Sequence, residues 1–329
     1  MVTDWRSLSV LIAGCGSIGR RHARVLNGLG VADLRACDPL DSQRAALAAE
    51  VGTVRLYASY EDALTAKPDA VIVCTPPLLH VAMIEAALAA GCHVLCEKPL
   101  AVETAGLAAL ESLAAASSKK TMVALCFRYH EALLRAKRYL DEGRIGRLVS
   151  VRTSVGEYLP AARPDYRDLF SARYLGAFDL IHEIDLALWY ADQPVRRVAC
   201  AGGTYSEIGI QAPDVAEIAL DFADRCCGAI HLDFFQRPRR RQTELLGTEG
   251  VITVEFARWE ASTVSIYEAA RDAWSQEEMR MERDDMFRAE DREFLEAITT
   301  DGEIRCTLAE GRKSVEVLEA ALRQINVPL

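Results

Sequence analysis

The sequence predicts an α/β chain in two parts, a doubly wound parallel sheet followed by an α+β domain whose open sheet is mainly antiparallel. Three observations carry that expectation. Through the first third, short β-branched runs alternate with Ala- and Leu-rich stretches, as in a parallel sheet covered by helices. From about Leu148 onward apolar and polar residues alternate instead, the pattern of strands with one buried face. The chain has 329 residues and 50% of them are hydrophobic, enough for about two domains. The boundary is expected near Cys126, giving domains 1–125 and 126–329.

In order, Ser9 to Ala13 (SVLIA) reads as the first strand. A glycine turn follows, then a helix over Ile18 to Leu29 with Ile18, Val25, Leu26 and Leu29 on one face and Gly30 closing it, a common helix terminator. A second strand runs to Cys37. Ala70 to Cys74 (AVIVC) is a fully apolar strand bounded by Pro76 and Pro77, Leu79 to Ala90 is helical up to Gly91, and Cys92 to Cys96 (CHVLC) is the next strand. A helix over Val102 to Ser118 and an apolar run, Met122 to Cys126, complete the first part. Later candidate strands are Leu148 to Val155, Val195 to Ala201, Val215 to Phe222, Cys227 to Phe235, Thr243 to Gly247 and Val251 to Phe256. No internal repeat is visible.

Composition narrows the function. Lys and Arg total 38 against 48 Asp and Glu, a formal charge of −10, which argues against nucleic acid and anionic membrane surfaces as partners. No stretch reaches the roughly 18 apolar residues of a membrane span, and the strand beginning near Leu8 leaves no room for a signal peptide, so a cytoplasmic location is expected. The 10 cysteines run from Cys15 to Cys306 with neither a C-x-x-C pair nor metal-ligand spacing. They read as buried thiols in a reducing compartment, and no metal is expected.

Gly14-Cys15-Gly16-Ser17-Ile18-Gly19 fits G-x-G-x-x-G between a strand and a helix, and Asp38 lies 19 residues after Gly19 at the end of the next strand. In such a turn the first glycine permits the bend, the second admits a pyrophosphate to the backbone, and the third lets the helix pack closely. This predicts a dinucleotide-binding Rossmann domain. Asp38 can accept hydrogen bonds from both ribose hydroxyls, whereas a 2′-phosphate would meet like charge, so NAD is expected rather than NADP. Arg35 and Arg44 are close enough in sequence to soften that repulsion.

Ligands of open α/β sheets sit outside the carboxyl ends of the strands, and Glu97-Lys98-Pro99 follows a strand at such an end. Lys98 should point into the crevice, where an ammonium near a nicotinamide would have its pKa drawn down toward that of a working proton donor. On position alone a surface lysine fits equally well. Thr75, Pro76 and His80 lie at the same end and can line the nicotinamide side, although His80 at a helix start fits a structural role as readily. In the second part, Asp179, His182 and Asp185 recur every three residues on a predicted helix. A carboxylate beside an imidazole fixes its tautomer, which makes His182 the best candidate base.

The strand-GCGSIG-helix, TPPLLH and CEKPLA segments, followed by CFRYHEAL, GRIGRL, FDLIHEIDLALW, ELLGTEGVI and AEDREFLEAI, resemble the Gfo/Idh/MocA oxidoreductase family over essentially the whole chain. The resemblance implies that Lys98 takes part in substrate binding and proton transfer. It implies that His182 is the catalytic histidine with Asp179 beside it, and that the second domain supplies the substrate face and the oligomer contact. Many members place several glycines where this chain has Leu175-Gly176-Ala177-Phe178, and some set the aspartate four residues before the histidine rather than three. Asp185 and Glu183 fit helix capping or charge balance.

Between Gly156 and Tyr174 lies a long stretch without periodicity that holds Tyr158, Arg163, Tyr166, Arg167 and Arg173. Long loops of this kind are often functional, and Tyr158, Arg163 and Tyr166 here, with Arg128 of the CFRYHEAL segment, Lys98 and His182, are the substrate-binding candidates. Arg237, Arg239, Arg240 and Arg241 form the one basic run, which fits a solvated sheet edge, an oligomer contact or an anion site. The expected activity is hydride transfer between NAD and a secondary alcohol of a sugar, cyclitol or derivative, by a homodimer or homotetramer. Its rivals are a redox-neutral NAD-using epimerase, eliminase or glycosidase of the same fold, and a non-catalytic NAD-binding sensor.

Overall fold

The protein is seen in a computed structural model that describes residues 4–163, 165–170 and 175–325. It divides into two compact units, 1–126 with 284–312 and 127–283 with 313–329. The first unit therefore contains a late segment that a single boundary near Cys126 does not anticipate.

The first unit alternates strand and helix: β1 (Ser9–Ala13), α1 (Ser17–Gly28), β2 (Asp33–Cys37), α2 (Asp41–Val51), β3 (Arg55–Tyr57), α3 (Tyr60–Thr65), β4 (Ala70–Val73), α4 (His80–Ala89), β5 (His93–Glu97), α5 (Leu107–Ser117) and β6 (Thr121–Ala124). The six strands are parallel in the order β3-β2-β1-β4-β5-β6. Every residue of β1 and β4 is buried, which is why both read as unbroken apolar runs. Chain direction around the sheet reverses between β1 and β4, and the loops leaving those strands flank the usual ligand crevice of this topology. α5 begins later than expected because Gly106 adopts φ 81°, a left-handed turn that stops the helix extending back to Val102.

The 3-10 turn Cys126–Tyr129 spans the boundary between the units, and the second contains α6 (Glu131–Asp141), β7 (Leu148–Gly156), α7 (Leu159–Ala162), α8 (Tyr166–Leu169) and α9 (His182–Ala191). Then come β8 (Val195–Gly203), β9 (Val215–Phe222), β10 (Cys227–Asp233), β11 (Arg240–Gly247), β12 (Gly250–Arg258), β13 (Ala261–Glu268) and β14 (Ala273–Met279). These form one eight-stranded sheet, β14-β13-β12-β11-β7-β10-β9-β8, antiparallel except where β10 runs parallel to β7. α9 packs on β7 and β10. Ile218, Leu220, Ile230 and Leu232 are buried while Glu217, Ala219 and Ala229 on the same strands are exposed, so the alternation read from sequence corresponds to one covered face.

Two more helices follow, α10 (Arg283–Thr300) and α11 (Leu308–Gln324). α10 buries Met286, Phe287, Glu290, Asp291, Phe294 and Leu295. Among the described residues no helix is long and apolar enough to cross a membrane. All ten cysteines are free thiols, with burial pushing Cys15 and Cys37 up to about 12. Cys227, at the start of β10, is exposed, unlike the buried position expected for it.

Candidate active site

The glycine turn leaves β1 and enters α1, each glycine for its own steric reason. Gly14 has φ 99°, and a Cβ on it would lie 2.8 Å from the Cys74 carbonyl oxygen. A Cβ on Gly19 would sit 1.9 Å from the Gly14 carbonyl oxygen, so the helix can approach the turn only without a side chain there. A Cβ on Gly16 meets nothing within 4 Å, which leaves open space over the backbone where a pyrophosphate would rest. Exposed Ser17 and half-buried Ile18 form the first turn of α1, whose unpaired N–H groups favour an anion. The turn fits a dinucleotide.

Asp38, one residue beyond β2, is fixed from both sides. Its Oδ2 accepts from the Cys15 N–H at 2.9 Å and its Oδ1 from the Leu40 N–H at 2.9 Å. Arg35 does not soften this charge: it is buried, pairs with Asp33 and donates to the Ala66 carbonyl. Arg44 donates to the Asp38 backbone carbonyl and to Asp41.

The loop after β4 carries Thr75 and Pro76, and β5 ends in Glu97 with Lys98 next. Thr75 Oγ1 donates toward Met83 Sδ at 3.2 Å, and Pro76 precedes a 3-10 turn, Pro77–Leu79. His80 is fully buried, with Nδ1 2.8 Å from the Pro99 carbonyl and Nε2 2.8 Å from the Thr75 carbonyl. Burial pushes its pKa down while the two carbonyls oppose that shift. With its charged form disfavoured the ring carries one N–H and donates to one of these carbonyls while packing against the other; it sits between the two loops instead of lining an open face, so its place differs from the expectation of a cofactor contact.

Sequence reasoning missed a buried network behind Lys98. Glu97 Oε2 accepts the Lys98 N–H at 3.0 Å, and its Oε1 lies 3.1 Å from His22 Nε2 on α1. His22 Nδ1 is 2.9 Å from Asp291 Oδ1 on α10. Burial opposes charge on His22, but Asp291 and Glu97 outweigh it and hold the imidazole well above its usual range. Neighbouring Glu290 is pushed up by burial and by the charge of Glu97, which disfavours its charged form. Ligand atoms of His22, Glu290 and Asp291 lie within 4.8 Å of one another, the spacing of a metal site. An imidazolium with both nitrogens on carboxylates, however, has no lone pair to offer an ion. His22 was visible as the histidine three residues after Gly19; its acidic partner almost 270 residues away was not.

In the second unit His182 begins α9, while Asp179 sits one step earlier in a 3-10 turn, Gly176–Leu180. The expected single helix through Asp179, His182 and Asp185 is therefore split. The one glycine of LGAF is obligatory: a Cβ on Gly176 would lie 2.1 Å from the Pro213 carbonyl. Asp185 and Glu183 do more than balance a helix. Asp185 receives Arg128 through Nε at 3.1 Å and Nη2 at 2.7 Å, and Glu183 receives Arg241 at 2.6 and 2.7 Å, all four side chains being buried. Arg128, a substrate candidate by sequence, thus turns that edge of its guanidinium inward. The Phe127 ring lies 4.4 Å from that of His182, and the Arg241 guanidinium stands 4.0 Å over Phe127.

The remaining candidates separate. Tyr158 lies under Arg237 at 4.1 Å, and Arg163 is 3.8 Å from Asp165. Tyr166 is buried and donates its hydroxyl to the Ile208 carbonyl at 2.6 Å, a packing role rather than an open one. Arg173 and Tyr174 lie outside the described residues. The basic run is not a sheet edge, because β11 pairs with both β7 and β12. Arg240 is exposed and Arg241 buried, as strand alternation requires.

Residues 8–125 match the oxidoreductase family with NAD-binding Rossmann fold, and residues 133–253 match the GFO/IDH/MocA C-terminal domain. The chain belongs to the Gfo/Idh/MocA oxidoreductase family. Among curated members it is 29% identical over 331 aligned residues to inositol 2-dehydrogenase 2 of Saccharopolyspora erythraea, covering 97% of this chain and 93% of that one. It is 33% identical over 206 residues to inositol 2-dehydrogenase of Leifsonia xyli subsp. xyli, covering 60% of this chain and 57% of the relative. These relatives are dehydrogenases acting on CH–OH groups. The same fold is seen in scyllo-inositol dehydrogenase from Lactobacillus casei with bound NAD(H) and scyllo-inositol, at TM-score 0.84, 19% identity and 97% coverage of each chain.

Proposed function

We propose that the protein is an NAD-dependent dehydrogenase that moves hydride between a secondary alcohol of a cyclitol, sugar or sugar derivative and the nicotinamide. The observation that carries this reading is the placement, on one parallel sheet, of the open Gly16 turn under the α1 N-terminus and of Lys98 at the carboxyl end of β5. The names of the inositol dehydrogenase relatives support the substrate class.

NAD, when bound, supplies the hydride acceptor. Gly14, Gly16 and Ser17 would hold its pyrophosphate by backbone N–H groups, and Thr75 and Pro76 would border the nicotinamide side. Asp38 accepts hydrogen bonds from the adenosine ribose hydroxyls and repels a 2′-phosphate, which favours NAD over NADP. His182, oriented by Asp179, takes the proton from the substrate hydroxyl as its C–H bond breaks. The Lys98 ammonium steadies the developing alkoxide or shares the proton. Positioned groups of this kind contribute about a hundredfold to ten-thousandfold in rate. We assign substrate binding and the contact of a homodimer or homotetramer to the second unit, the latter on the outward face of its sheet, and place the enzyme in the cytoplasm.

The test is a panel of inositols, polyols, aldoses and sugar phosphates with NAD and with NADP, read by absorbance of the reduced cofactor. Lys98→Ala should remove at least about a hundredfold of turnover while NAD affinity survives; full turnover in that variant defeats the assignment. Solvent deuterium in a product formed without net NADH marks redox-neutral chemistry instead.

A further inference from the structure

We propose that His22 and His80 are positioning residues for Lys98, each fixing one of the two residues that flank it. This deepens the reading of Lys98 as a proton-transfer group and rests on it. A lysine on a flexible four-carbon stem is placed well only if its own backbone is held. On the amino-terminal side, the carboxylate of Glu97 could turn toward solvent at the end of β5. It instead accepts the Lys98 N–H at 3.0 Å, with its other oxygen held by His22 Nε2 at 3.1 Å. On the carboxyl side, His80 Nδ1 lies 2.8 Å from the Pro99 carbonyl, and we assign the ring's single N–H to that nitrogen.

Each ring has a second neighbour away from Lys98, an anchoring carboxylate for His22 and a packed carbonyl for His80. His22 Nδ1 reaches Asp291 on α10 at 2.9 Å, and His80 Nε2 reaches the Thr75 carbonyl after β4 at 2.8 Å. The two elements bordering the β5 loop are thereby tied to it through imidazoles. Both rings are fully buried, so they act through the neighbours of Lys98 and not on substrate. Simple core filling would not bring all four ring nitrogens within 3.1 Å of oxygen atoms, two of them on the residues before and after one lysine.

The two histidines use opposite nitrogens toward Lys98, and amide side chains can separate these contacts. The Asn amide nitrogen falls near the position of Nδ1, and that of Gln near Nε2. His22→Gln keeps the contact with Glu97 and His22→Asn the one with Asp291. His80→Asn keeps the contact with Pro99 and His80→Gln the one with Thr75.

The experiment measures kcat, substrate KM and NAD Kd of all four full-length variants, with the cofactor and best substrate from the panel. His22→Gln and His80→Asn should stay within about threefold of the parent kcat. His22→Asn and His80→Gln should fall about tenfold or more, as displaced catalytic groups do, with NAD Kd within about twofold in every case. That crossed order cannot arise from lost volume, which would make Asn the worse replacement at both sites. Asn worse at both sites, equal losses within each pair, or lost NAD affinity with kcat retained overturns the proposal. Should His22→Asn fail to fold, Glu97→Gln against Glu97→Ala provides the same contrast, since only Gln keeps an acceptor for the Lys98 amide; equal kcat in those two overturns it as well. An inactive Lys98→Ala without the crossed order defeats this proposal alone, whereas a fully active Lys98→Ala defeats the reading beneath it.

Discussion

At the carboxyl edge of the six-stranded sheet, candidate residues are held mainly through main-chain groups: the Cys15 and Leu40 amides on Asp38, the Lys98 amide on Glu97, the Pro99 and Thr75 carbonyls on His80. Around His182 the ties are side chain to side chain: Arg128 with Asp185, Arg241 with Glu183, Phe127 against the imidazole. Main-chain contacts follow from short motifs, so the first region shows in sequence. Paired side chains lie more than 50 residues apart, so the second region announces its histidine and conceals its supports.

The contrast can be broken most strongly at the buried pairs. Arg241→Met strands Glu183 in the interior, and unfolding by denaturant should show a loss of about 3–5 kcal/mol. Replacing both partners, as Arg241→Met with Glu183→Leu, should recover most of it; equal losses in the single and double variants would mean the pair itself is not the cause. In the first region Asp38→Ala should raise the KM for NAD about tenfold, equivalent to about 1.4 kcal/mol, and improve use of NADP, with kcat little changed. An unaltered NAD:NADP preference would remove Asp38 from the ribose.

pH sharpens the same contrast. Glu290 has a folded pKa above its unfolded value, so its contribution is fully present below about 4.5 and is lost as pH rises through the folded value. Glu290→Gln keeps the neutral form at every pH. Its stability should match the parent below about pH 4 and exceed it by about 1 kcal/mol or more near pH 9; a constant difference across pH would contradict a raised Glu290 pKa. The smallest effect belongs to His231 in the second unit. Asp233 and Glu217, at 2.8 and 2.6 Å, raise it to about 9 against its burial. That contribution is complete below about 6.5 and declines through about 9, a slope that His231→Gln should flatten in thermal melts.

Much of the fold was legible because burial leaves a period in the chain. Fully covered strands such as β1 and β4 are apolar throughout, and β9 and β10 alternate. β14 (AWSQEEM) was not legible, because an edge strand with few buried side chains has no such pattern. β13 carried Val264 and Ile266 in alternation, a signal present in the sequence but passed over. Arg241 reads as one of several basic residues until β11 gains neighbours on both sides; strand parity then turns it inward. Asp38 and Lys98 were found through motif context. His22, Glu290 and Asp291 needed the return of α10, which no local rule contains.

That return reverses the order in which the chain is made and the order in which its parts can be finished. A ribosome delivers β1 to β6 first and Asp291 only after the entire eight-stranded sheet has been synthesised. Until then His22 has one carboxylate where the native protein has two, and the apolar face awaiting Phe287, Phe294 and Leu295 stays bare. Exposed surface of this kind invites misassociation during synthesis. The nucleotide-binding half, although begun first, is therefore finished only after the whole eight-stranded sheet has emerged.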